Sequence, residues 1–313
     1  MKNKSIFSIF LVFTLLFTLP ISAFANESSD VQSDSFNEYE YIEMLQNSSP
    51  RELEDLGISE QDAAAVITAF EEALLERSLL PDSELRAYGY NNYEISLFHN
   101  YANGQVLSSS ELQALGSTCS GVITRHSCSG KSATFSYTFT WDRYPLVGLD
   151  DSAALHWIAY DNYGHEIGVE QSSMSMTVKY YRKTHNTGES PSGYVYDDVG
   201  TSEKHLDFNT LNMQFPVNQS YASENSGIIF DTYAKTGTVR VSIRVPSGVS
   251  ANIDCIFVAG LYGHTVVGIG APSVSVSKGS FGISFTGNTS IDELADRKAT
   301  IYRNSTSVEY WKS

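Results

Sequence analysis

The segment Ala133-Thr134-Phe135-Ser136-Tyr137-Thr138-Phe139-Thr140-Trp141 alternates apolar, mostly aromatic side chains with small hydroxyl ones. A strand turns successive side chains to opposite faces, so a period of two predicts an antiparallel strand with one face on an aromatic core and one in water. The pattern recurs downstream. Met174, Met176, Val178 and Tyr180 alternate with Ser173, Ser175, Thr177 and Lys179, and Val239, Val241, Ile243 and Val245 alternate with Thr238, Arg240, Ser242 and Arg244. Phe281, Ile283 and Phe285 repeat it again. Ala153 to Tyr160 and Ile253 to Gly260 are apolar at both parities, as strands covered on both faces are. Turn-forming clusters at Asp161-Asn162-Tyr163-Gly164, Lys235-Thr236-Gly237, Pro246-Ser247-Gly248 and Ser277-Lys278-Gly279 separate the runs. Residues 117–313 are therefore expected to form an antiparallel β-sandwich, and the absence of long helical patterns excludes a parallel sheet with crossover helices. One late helix is expected from Ser290 to Lys298, where Ser290 and Glu293 stand at capping-box spacing.

Upstream the period changes. ELEDLG at Glu52 to Gly57, ELRAYG at Glu84 to Gly89 and ELQALG at Glu111 to Gly116 read as three short helices. Ser49 and Ser108 sit three residues before Glu52 and Glu111, the spacing at which each side chain satisfies the other's exposed amide, and the closing glycines supply a left-handed terminus. Ser59 to Ser78 carries a stripe of Ala63, Val66, Ile67, Phe70 and Leu74 on one helical face, and Tyr93 to Tyr101 offers a further amphipathic stretch. The expected class is thus α+β, mainly β, with an acidic helical region over residues 37–116.

The charge is unevenly spread. The chain has 20 Lys and Arg against 36 Asp and Glu, a formal charge of −16 over 313 residues. Residues 26–86 hold 16 acids and three bases. Such a surface repels a phosphate backbone, so nucleic acid is not an expected partner. Residues 1–25 read as an export signal: Lys2 and Lys4 precede an apolar run from Ile6 to Leu19, with small residues at Ala23 and Ala25 before the expected cut. The apolar run is shorter than the ~20 residues that span a bilayer, so the mature protein is expected outside the cell with no stable membrane insertion. Residues 26–36, polar and aperiodic, are expected to be a disordered leader. The acidic region then reads either as a helical layer packed on the sandwich or as a removable pro-segment.

Several groups are candidates for chemistry. Of the three cysteines, Cys119 and Cys128 lie in a Thr-Cys-Ser-Gly and Ser-Cys-Ser-Gly doublet and are read as a disulfide if the chain reverses at Gly121, leaving Cys255 as a buried thiol. His156 and His165 flank a turn, but no third metal ligand is evident, and neither a metal nor a cofactor is expected. Asp150-Asp151, Asp197-Asp198 and Asp207 are acid groups of the kind glycoside hydrolases use. No nucleophile elbow, phosphate loop or dinucleotide fingerprint occurs in a supporting context. Tyr180, Tyr181, Tyr194 and Tyr196, beside acids and glycines, are candidate binding residues for a glycan or a protein partner.

Gly263-His264-Thr265-Val266-Val267-Gly268-Ile269-Gly270 resembles the histidine strand of papain-like cysteine peptidases. That resemblance implies a nucleophile at Cys128, a base at His264 and an orienting amide at Asn288. The chain departs from the family in lacking a glutamine before the cysteine, an aromatic after it and a helix aimed at the thiol. The layout as a whole, an export signal followed by ELxxLG helices and a β-rich domain, resembles uncharacterised secreted proteins of Gram-positive bacteria, which implies no activity. The leading expectation is a secreted, non-catalytic binding or interaction protein. A secreted cysteine hydrolase with an acidic pro-region is the alternative.

Overall fold

A computed structural model describes residues 35–55, 58–148, 150–182, 194–196, 204–206, 209–222, 229–267, 273–276, 283–286 and 290–294. The protein is mainly β, with helices gathered at the N-terminal side. Strand β1 (Ser35–Asn37) leads into helices α1 (Glu38–Asn47), α2 (Pro50–Asp55), α3 (Glu60–Ser78), α4 (Asp82–Ala87), α5 (Asn92–Ala102) and α6 (Ser109–Leu115). Then come β2 (Thr118–Cys128), β3 (Ser132–Trp141), β4 (Asp150–Tyr160), β5 (Glu166–Ile167), β6 (Glu170–Arg182), β7 (Tyr194–Tyr196) and β8 (Lys204–Leu206). The remaining strands are β9 (Thr210–Pro216), β10 (Asn218–Ala222), β11 (Ile229–Arg244), β12 (Cys255–Val267), β13 (Ser273–Val276), β14 (Ile283–Thr286) and β15 (Ser290–Leu294).

Two antiparallel sheets carry the fold. One runs β1-β2-β3-β11-β6-β7, with β10 also on β11; the other runs β15-β12-β4-β9-β8, with β5 on β4. Strands β13 and β14 form a separate pair. The aromatic face of β3 meets the second sheet: Phe139 stacks on Phe215 at 5.2 Å between ring centres, and the Trp141 indole N–H donates to the Tyr262 hydroxyl at 2.8 Å. Each such fully buried aromatic contributes about 1.5–3 kcal/mol by leaving water. Tyr137 fits only because Gly121 on β2 and Gly260 on β12 have no side chain; a Cβ at either would enter its ring volume.

The helices fold locally for the expected reasons. Ser49 with Glu52 and Ser108 with Glu111 close their reciprocal hydrogen bonds, and Asn91 with Glu94 adds a third capping box. Val66, Phe70 and Leu74 bury the apolar stripe of α3, which lies against β12. Gly89 takes φ +103°, but Gly116 is extended at φ −65° because α6 passes directly into β2. Gly116 is needed for room instead: a Cβ there would press on the Asn37 carboxamide, which caps α1 and donates to the Gln113 and Gly116 carbonyls.

Four local expectations are corrected. Ser35 and Phe36 belong to β1 and pair with Ser120 and Cys119, so these two residues of the expected leader are part of the sheet; residues 26–34 lie outside the described residues. Lys235-Thr236-Gly237 is no turn; β11 runs straight through it with an irregularity between Ala234 and Thr236, because β3 and β6 pair on both sides. Ser290–Leu294 is an edge strand on β12 rather than a helix. Cys119 and Cys128 stand at the two ends of the same continuous β2, about 30 Å apart at ~3.3 Å per residue, and no disulfide joins any of the three cysteines. The Ser277-Lys278-Gly279 turn falls outside the described residues.

Candidate functional site

His264, the residue singled out by its Gly-His-Thr-Val context, is fully buried. Strand β12 aims it inward because Tyr262 and His264 share the core face, opposite Asp151 at the start of β4. The imidazole Nδ1 lies 3.1 Å from both carboxylate oxygens of Asp151. Asp151 also accepts the Thr265 amide at 3.0 Å and the Tyr262 hydroxyl, which in turn accepts from Trp141. On the other side, His264 Nε2 lies 3.7 Å from Glu38 Oε1, an ion-pair rather than a hydrogen-bond distance. Trp141 packs edge-on against the ring at 4.9 Å.

Glu38 is the first residue of α1, and it is only 4% exposed. Its carboxylate accepts the amides of Ser117 at 2.8 Å and of Leu146 and Val147 at 3.1 Å each. A buried carboxylate is stable only when its lone pairs are filled, and here three backbone donors and a cation fill them.

The charges decide what this cluster can do. Burial alone would push the imidazole toward neutrality, but Asp151 first and Glu38 second overcome it and hold His264 protonated up to about 10. At neutral pH the ring therefore has no lone pair to take a proton from a nucleophile, and no exposed edge through which substrate would reach it. The Tyr262 hydroxyl is held far above its usual range by burial and by Asp151. The arrangement is an ionic clamp: a cation between two carboxylates, joining the first helix to both sheets.

A second buried cation repeats the theme. The Arg77 guanidinium, from the end of α3, lies 4.4 Å from the Tyr144 ring centre and 4.6 Å from that of Tyr88. It donates to the Tyr90 hydroxyl and to the Tyr144 and Pro145 carbonyls. Arg143 pairs with Glu94 of α5 at 3.1 Å. The helical layer is thus fastened to the segment after β3.

The structure does not gather the peptidase-like residues. Cys128 closes β2 opposite Ala133, whereas His264 sits by Trp141, which pairs with Cys119 at the other end of that strand. Burial pushes the Cys128 thiol up, with Arg125 opposing it only in part, and it pushes Cys119 well above its usual range. Asn288 lies outside the described residues, as do Asp197, Asp198 and Asp207. Asp150 is exposed and Asp151 belongs to the clamp, so adjacent acids face opposite ways. His156 is buried against the Thr210 hydroxyl at 2.9 Å, while His165 is exposed on the turn near Asp161, and the two do not meet. Tyr180 is buried, donating to the Pro216 carbonyl at 2.8 Å, and is corrected from a binding to a core residue. Tyr181 is half-buried with Lys235 over its ring. Tyr194 and Tyr196 pair through backbone with Tyr180 and Val178.

No family model and no curated protein matches the chain. Solved structures to which it is similar include AvmM, which catalyses macrocyclization in alchivemycin A biosynthesis (13% identity, 55% of this chain, 86% of that chain, TM-score 0.22). A DUF4466 family protein from Parabacteroides merdae matches at 11% identity over 56% of this chain and 43% of that one, TM-score 0.24. The T6 backbone pilin of Streptococcus pyogenes matches at 14% over 56% and 35%, TM-score 0.26.

Proposed function

We propose that the protein is a secreted, non-catalytic binding or interaction protein whose ligand is a glycan or a protein. The observation that supports this most directly is the burial of His264 between Asp151 and Glu38: the histidine best placed for acid–base chemistry is spent on holding the fold. The raised thiol of Cys128 is a poor nucleophile for the alternative hydrolase. Export rests on the signal-like residues 1–25.

The test uses the full mature chain in two parallel assays, turnover of fluorogenic peptide and glycoside panels, and co-sedimentation or interferometry against glycans and candidate cell-surface proteins. Saturable binding with no turnover is expected. Turnover abolished by Cys128→Ser would overturn the proposal in favour of the hydrolase.

A further inference from the structure

The solvent side of the larger sheet has a chemistry of its own. Register aligns β2, β3, β11 and β6 into four cross-strand rows, of which Val122-Thr138-Thr238-Thr177 is one. Of the sixteen side chains in those rows, thirteen are Ser or Thr, two are the cations Arg240 and Lys179, one is Val122, and none is acidic. The next row on this face adds the exposed Arg244–Glu170 pair, so in a chain of net charge −16 the described part of the face carries a net positive charge. Rows repeat about every 6.7 Å along the strands and columns about every 4.8 Å across them, so the side chains form an array roughly 14 by 20 Å in which Ser136 is buried and the others are partly or fully exposed.

The hydroxyls are ordered by one another. Thr138 with Thr238 at 2.9 Å and Thr134 with Ser242 at 3.0 Å share a hydrogen bond across β3 and β11. Each such pair uses one O–H and keeps another, together with acceptor lone pairs, for solvent or ligand. Arg240 and Lys179 are exposed, and neither makes an ion pair among the described residues. His126, in the irregular stretch of β2, closes on the Ser136 hydroxyl at 2.8 Å.

We infer that this face binds an extended acidic glycan, its hydroxyls meeting the Ser/Thr array and its carboxylate groups meeting Arg240 and Lys179. The inference rests on the binding role proposed above and names its ligand class. A regular array of short donor-acceptors suits a repeating hydroxylated polymer, and two cations with no ion pair among the described residues select an anionic one by charge complementarity.

The test measures binding of the full mature chain to polygalacturonate, to a poly(glycerol phosphate) and to neutral hydroxyethylcellulose. Arg240→Ala with Lys179→Ala, and separately Thr138→Val with Thr238→Val, are compared with an Arg51→Ala control after thermal melting confirms that each folds. Binding to the uronate polymer, weakened about tenfold or more by either double variant and unchanged by the control, is expected for charge-assisted contacts. Preference for the phosphate polymer over the uronate overturns the inference. Equal binding to the neutral polymer, indifference to both double variants, or no glycan binding at all overturns the inference. Saturable binding to a protein ligand in the same preparation would leave the broader role standing.

Discussion

His264 carries the sharpest residue-scale consequence. Its folded-state affinity for a proton is raised from the ordinary 6.5 to about 10 by Asp151 and Glu38. A group whose pKa rises on folding adds stability that is fully present below the unfolded value and is lost as pH climbs through the folded one. The urea midpoint is therefore expected to decrease as pH is raised from 6.5 to about 10. A His264→Ala variant lacks this slope. It also leaves two buried carboxylates without their cation, an expected loss of about 3–5 kcal/mol. A wild-type profile flat over that window would contradict the clamp. Gly260→Ala, which forces a methyl group into Tyr137, is expected to cost about 1–3 kcal/mol in the same titration.

At the scale of elements, the two ends of β2 predict opposite thiol behaviour. Cys119 is fully buried and Cys128 half-buried, so under non-reducing conditions Cys128 is expected to label slowly with maleimide in the native state and Cys119 only on unfolding. A requirement for prior reduction would restore the disulfide. Strand β3 was readable because its own alternation states which face is buried. The stretch Lys235-Thr236-Gly237 was not, since its turn-forming residues yield to pairing on both sides, and Gly237 makes room for the Phe139 ring. Capping-box spacing at Ser290 and Glu293 likewise lost to the open edge of β12. The sequence marks His264 and Asp151 separately, but their pairing had no local signature: they are 113 residues apart, and only the folded sheets make them neighbours.

For the whole molecule, the acidic helical layer and the sandwich share their interior. Phe36 and Glu38 complete the core around His264, Asn37 ties α1 to the entry of β2, and Arg77 docks α3 on Tyr144 and Pro145. A detachable pro-segment would leave behind a self-sufficient domain, whereas removing residues before 117 takes Glu38 from His264 and leaves the Ser117, Leu146 and Val147 amides without their carboxylate acceptor. The most direct measurement compares a chain beginning at Asn26 with one beginning at Ser117, by thermal melting and by turnover of the peptide and glycoside panels. The account predicts that the shortened chain loses its cooperative transition and hydrolyses nothing. A folded fragment that gains turnover, and loses it again with Cys128→Ser, would contradict it.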